Sequence, residues 1–305
     1  MKKTTWVTFF ILICNTLSGQ FQPLNEQYML DGLSINPAYA GTREALSLTI
    51  SYRNQWIGFE GAPTTETLSL HSPLMDNKIG VGLYLMNNEI GITNETGMMG
   101  NYSYKMKTGK GQLSLGLGTG FSMRNKDSDD IRFYDQGDEV LMDSRKLFVI
   151  PNFSVGIYYY TKKYYAGVSM PFFMTYHYHS TSSKFKIHHS FGDCNYIFTG
   201  GYLWKINEEI SILPNALFKI NPSDDKQLDL NIHVILRDKF WVGTNYRTKN
   251  GLIWMFQFQI NNQLRAAYSY GIDFSELGKQ QNGTHEIMLR YDFKYLLEVV
   301  SPRYF

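Results

Sequence analysis

Histidines, serines, carboxylates and one arginine cluster supply the candidate chemistry. His177 and His179 lie two apart and would share a strand face, with His188 and His189 close behind. Imidazoles converging on one face could take zinc or copper. No carboxylate or thiol stands at ligand spacing beside them, so a polar loop with scattered histidines is the plainer account. The stretch from Asp127 to Asp143 carries Asp127, Asp129, Asp130, Asp135, Asp138, Glu139 and Asp143. Calcium could sit among such carboxylates, but the glycine and closing glutamate of a calcium hand are missing. Ser69 and His71 would share a face, and Ser190 neighbours His189. On the outer face of a barrel such a pair could serve lipid hydrolysis, yet no nucleophile, base and orienting group stand out together. No enzymatic activity, metal or cofactor is therefore expected. Arg53, Gln55 and Trp56 form a further cluster. Trp56 could anchor at a lipid–water boundary. A lumen-facing Arg53 could pair with Glu66 on the next strand, because a buried charge needs a partner.

The elements that must position these residues are strands. From Ala45 to Arg53, Leu46, Leu48, Ile50 and Tyr52 share one face, and Ser47, Thr49, Ser51 and Arg53 the other. From Gln112 to Met123, Leu113, Leu115, Leu117, Phe121 and Met123 oppose Ser114, Gly116, Gly118, Gly120 and Ser122. Leu228 to Leu236, Leu252 to Ile260 and Glu286 to Phe293 repeat the pattern. Successive side chains of a strand point to opposite faces, so each strand meets two environments. The apolar face is large and aromatic and the other is tiny or polar. A membrane barrel needs that division, with lipid outside and a polar interior.

We read fourteen strands of about 9–11 residues. They begin near Ala45, Thr64, Ile79, Thr96, Gln112, Asn152, Tyr164, Tyr196, Ile210, Gln227, Phe240, Leu252, Leu264 and Thr284. Links after the even-numbered strands are short, from Met75 to Lys78 through Asn261 to Gln263. The long ones follow odd-numbered strands: Gly58 to Pro63, Asn87 to Glu95, Lys126 to Pro151, Pro171 to Asn195 and Ser275 to Gly283. Short periplasmic turns opposite long extracellular loops are the outer-membrane pattern. The expected fold is all-β, a single antiparallel transmembrane barrel of about fourteen strands over residues 45–293.

The flanks set the compartment. Lys2 and Lys3, the apolar run Trp6 to Ile13, and small Ser18 and Gly19 follow the order of a signal peptide, residues 1–19. Cys14 could be a lipidation site, but Ile13 is bulky where such sites favour a small residue. The chain after Gly19 keeps only Cys194, so an internal disulfide is excluded. Residues 20–44 are expected as a periplasmic arm or plug, and residues 294–305 as a periplasmic tail. Pro302 cannot continue a ladder, which puts the last strand residue at Phe293. Aromatics make 15% of the chain and charges only 18%, below the roughly 25% of soluble domains. A net charge of +2 argues against a nucleic-acid partner.

Several blocks carry a family resemblance. Gln27-Tyr28-Met29 precedes Ile35-Asn36-Pro37-Ala38-Tyr39-Ala40-Gly41. Tyr52-Arg53-Asn54-Gln55-Trp56-Ile57-Gly58-Phe59 and Gly61-Ala62-Pro63 follow, then Leu68 to Leu74, Ile79 to Leu83 and the ending Ser301-Pro302-Arg303-Tyr304-Phe305. Together they resemble the PorP/SprF family over nearly the whole chain after the signal peptide. Asn36, Pro37, Ala38, Tyr39, Gly41, Arg53, Gln55 and Trp56 are the family-motif residues. Asn87-Asn88-Glu89 departs from the family, which usually has aspartate second. The middle third, around the loops from Lys126 and Pro171, matches little. The resemblance implies an outer-membrane component of the type IX secretion and gliding system of Bacteroidetes. Its implied partners are outer-membrane lipid, periplasmic secretion components, and a large secreted adhesin met through the extracellular loops. A passive channel for small solutes or apolar ligands is the alternative.

Overall fold

A computed structural model describes residues 24–126, 148–172, 175–179, 184–188, 194–221, 226–248, 251–274, 278 and 281–293. The expected signal peptide, residues 1–19, the acidic loop from Asp127 to Asp143, His189, Ser190 and the expected tail 294–305 lie outside them.

The strands in chain order are β1 Leu46–Asn54, β2 Thr64–Leu74, β3 Ile79–Ile90, β4 Thr93–Thr108, β5 Gly111–Lys126, β6 Phe148–Tyr160 and β7 Tyr164–Met170. A separate hairpin follows, β8 Thr175–His179 with β9 Lys184–His188. Then come β10 Tyr196–Tyr202, β11 Trp204–Lys205, β12 Ile210–Ile220, β13 Lys226–Leu236, β14 Phe240–Arg247, β15 Gly251–Gln259, β16 Leu264–Asp273 and β17 Thr284–Phe293. Each barrel strand pairs antiparallel with its sequence neighbour, β7 pairs with β10, and β1 closes on β17 with Leu46 opposite Phe293. β10 and β11 are one barrel strand in two pieces. Both pair with β12, and the ladder lapses opposite Pro214, which has no N–H to give. The count is fourteen, and closure leaves no free edge.

The alternation holds in three dimensions. Ile50, Tyr52, Leu115, Leu117, Leu230, Ile232, Trp254, Phe256, Ile287 and Leu289 face outward and exposed. Ser47, Thr49, Ser51, Arg53, Asp229, Asn231, His233, Gln257, Glu286, Arg290 and Asp292 face inward and buried. The outward set is the surface a bilayer would cover.

Two expectations need correction. The stretch Asn87 to Glu95 is not a long loop: β3 and β4 pair from Ile90 and Thr93 onward, leaving a turn at residues 91–92 with Gly91 at φ 55°. β4 and β5 each run 16 residues, well past the roughly 9–11 a bilayer requires. The Pro171 to Asn195 segment contains the β8–β9 hairpin. The short turns stay short, at residues 75–78, 109–110, 161–163, 206–209, 237–239 and 260–263.

Candidate functional site: a plugged lumen

The interior of the barrel is filled by its own N-terminal segment. Residues 24–41 are nearly all buried, and over this described part the arm is a plug. It enters at the long-loop end and leaves at the short-turn end. Near the top, the Asn25 amide donates to Ser51 Oγ at 3.3 Å. The Glu26 and Gln27 backbone N–H groups donate to the two Glu286 oxygens at 2.8 and 3.1 Å. Ser269 Oγ donates to Glu26 Oε2 at 2.6 Å. Arg53 lies between the two carboxylates, 3.9 Å from Glu26 and 4.0 Å from Glu286.

Arg53 therefore does not pair with Glu66. It stands opposite Thr65, and Glu66, one residue on, points outward. Its carboxylates come from the arm and from β17, both remote in sequence. Gln55 is buried, and Trp56 lines a small crevice with Glu26, Arg53 and Gln55. Trp56 holds φ 53°, and its N–H reaches Thr284 Oγ1 at 3.4 Å. This places Trp56 over the mouth of the lumen.

Lower down, the arm makes two short 3-10 turns, Gly32–Ser34 and Pro37–Tyr39. Asn36 caps the second: its Oδ1 accepts from the Ala38 N–H at 2.9 Å, and Pro37 follows where a missing N–H is harmless. The Asn36 Nδ2 donates to Ile157 O at 3.1 Å. The arm's carbonyls meet a row of barrel donors. Ser169 reaches Ile35 O at 2.6 Å, Ser114 reaches Ala38 O at 2.7 Å, Ser103 reaches Ala40 O at 2.8 Å, and Lys105 Nζ reaches Gly41 O. Gly41 takes φ 65°, and its N–H donates to His71 Nδ1 at 3.2 Å. Ser69 Oγ donates to Asp31 Oδ2 at 2.5 Å. Ser69 and His71 do share a face, but it is the lumen face, and both are engaged with the arm.

The Asn36 to Gly41 block presses against glycines. A Cβ on Gly80 would overlap Ala40 O, one on Gly116 would overlap Ala38, and one on Gly156 would overlap Asn36 Oδ1. The tiny inner face of β5 is thus space for a chain. Apolar seams complete the fit: Leu24, Tyr28 and Ile35 with Ile197 and Leu217, and Leu33 and Ala40 with Tyr84, Met86 and Met99. Below Gly41, Arg43 forms a two-pronged pair with Asp292, at 3.0 and 2.7 Å.

The acidic loop from Asp127 to Asp143 lies outside the described residues. In the hairpin register His177 faces Lys186 and His179 faces Lys184. Among the described residues no group of three or more histidine, cysteine, aspartate or glutamate side chains could hold an ion.

The family description "Type IX secretion system membrane protein PorP/SprF" matches residues 17–291. The chain belongs to the PorP/SprF family. No curated protein matches it. Among solved structures, this PorP/SprF barrel is similar to the CymD monoaromatic hydrocarbon channel. The TM-score is 0.54 at 11% identity, over 91% of this chain and 95% of that one. It is also similar to the Ralstonia pickettii toluene transporter TbuX, with TM-score 0.51 at 8% identity, over 88% and 93%. Identities this low speak for the outer-membrane barrel fold alone. All eight motif residues of this PorP/SprF chain lie on the arm or at the long-loop end of β1. Sequence reading missed Glu26 and Glu286 as the partners of Arg53, and Asp31 as the partner of Ser69. The readable hint was an inner strand face too small to fill a lumen unaided.

Proposed function

We propose that the protein sits in the outer membrane as a type IX secretion component. There it supports secretion or cell-surface attachment of a large adhesin-type substrate. The observation that carries the reading is the PorP/SprF match along residues 17–291. The filled lumen adds a physical argument. An interior occupied by bonded chain leaves little room for solute flow, so the useful surfaces are the two rims. Long loops on a closed, edge-free barrel are where binding residues tend to sit. The substrate would meet the loops from Lys126 to Pro151 and from Pro171 to Asn195, and periplasmic secretion components would meet the short turns. In this reading the protein has no catalytic activity of its own.

The alternative, a passive channel for small solutes or apolar ligands, draws on the printed names of CymD and TbuX. It would require the arm to leave. Gene deletion followed by mass spectrometry of the cell surface and the medium separates these readings. Loss of one or a few large surface proteins supports a dedicated adhesin partner. Loss of all secreted cargo together supports a core component. Intact secretion with altered solute uptake would transfer the case to the channel.

A further inference from the structure

Between the arm and the wall, at the short-turn end, lies a cavity of about 220 Å³. It is smaller than the roughly 300–1,000 Å³ of drug-sized pockets, which suits a group the size of one side chain. Three guanidinium groups line it, from Arg43, Arg265 and Arg290, and no carboxylate does. Asp292 stands just behind. It takes both prongs of Arg43 and a hydrogen bond from Ser47 at 2.8 Å, and it lies 3.8 Å from Arg290. One carboxylate therefore faces two arginines. The third, Arg265, donates its hydrogen bonds to amide oxygens, Gln259 Oε1 at 2.7 Å and Gln257 Oε1 at 3.4 Å. It stacks 4.4 Å over the Trp241 ring.

Among the described residues two buried donors at this cavity make no hydrogen bond, Trp241 Nε1–H and Arg290 Nε–H; the second has only its 3.8 Å ion-pair contact with Asp292 Oδ2, and the Arg290 side chain is 4% exposed. Buried donors are almost always paired, so two together at one cavity mark a missing acceptor. Surplus positive charge asks for that acceptor to be an anion. The rest of the lining mixes aromatic and aliphatic groups, among them Tyr28, Tyr158, Ile35 and Leu213, with the polar Asn36, Thr199 and Gln257. Arg43 is 32% exposed and gives access from the short-turn side.

We propose that this cavity binds a carboxylate carried on a small flat apolar body, with Arg265, Arg290 and Trp241 as its donors. The carboxylate belongs to a free aromatic acid or to the end of a polypeptide, and the two sources share this chemistry.

Titration calorimetry on the full barrel in neutral detergent, with benzoate as probe, tests the proposal. Benzoate binds, and benzyl alcohol of the same shape binds at least about tenfold more weakly, the usual weight of a charge-assisted bond. Arg265→Gln weakens benzoate by a similar factor. Trp241→Phe keeps the ring beneath the guanidinium, loses only the N–H, and weakens benzoate several-fold. Heat-modifiable migration on gels checks that both variants fold. A short peptide ending in a free Phe carboxylate is then run against benzoate, beside its amidated twin. Competition by the free-ended peptide alone assigns the site to polypeptide ends, and no competition assigns it to free acids. The proposal is overturned if benzoate does not bind, if benzyl alcohol matches it, if both variants bind as the parent does, or if inorganic phosphate competes equally well.

Discussion

Gly116 on β5 and Ala38 on the arm touch so closely that the glycine has no room for a Cβ. The contact ties the arm's fit to the smallest side chain available. Gly116→Leu should unseat the arm while leaving the barrel closed, since overpacking of this kind costs about 1–3 kcal/mol or more. Hydrogen exchange over residues 24–41 should speed up, with exchange in β13–β16 unchanged. Protection equal to the parent's would refute the seating described.

Removing the plug should open the barrel. The full chain in a planar bilayer should show no steady current. Deletion of residues 24–40 should give a stable open conductance, because the inner face it uncovers is polar. A deleted form that stays silent would show that other elements also obstruct the lumen.

Arg53 holds two buried carboxylates together, Glu26 and Glu286. Arg53→Met leaves them side by side without a cation. Removing one partner of such a buried group costs about 3–5 kcal/mol. Urea unfolding should show that loss, and adding Glu26→Gln and Glu286→Gln should restore much of it. An Arg53→Met variant as stable as the parent would mean the charges are solvated.

Burial pushes the Asp31 carboxyl up from its ordinary 3.8 to about 6, partly offset by the Ser69 hydroxyl and the backbone N–H groups of Leu33 and Ser34. A raised carboxyl binds its proton more tightly in the docked state than when released. Its contribution is complete below about pH 4 and fades as pH rises through 6. The arm should therefore be held more firmly at pH 5 than at pH 8, by about 1.4 kcal/mol. Exchange over residues 24–41, corrected for intrinsic rates, measures this. Asp31→Asn should remove the slope, and an unchanged slope in that variant would assign it to other groups.

The strands were readable because lipid and lumen impose opposite chemistries at every second residue. All fourteen expected starts fall within four residues of the observed ones, the widest gaps being Asn152 against Phe148 and Thr96 against Thr93. Asn87 to Glu95 was misjudged for a physical reason. Polar residues above a bilayer can still pair, and only the ladder, not the composition, reveals it. The partner of Arg53 was out of reach for a different reason. Alternation gives a face, but the choice of neighbour depends on the closing pair β1–β17 and on an arm packed inside, both set by contacts distant in sequence.

The arm's bonds at the top of the lumen fall on both sides of one seam: Asn25 to β1, and Glu26 and Gln27 to β17. The Glu26 contact to Glu286 joins residues 260 positions apart, and it forms only when the last strand arrives. Contacts of such long range are slow to find. The order of assembly follows. The arm must lie among the strands before the first and last of them meet, because a closed cylinder would force it to thread upward from below. The N-terminal segment is thus a clasp, fastened in the same step that seals the wall, and a chain lacking it should close late.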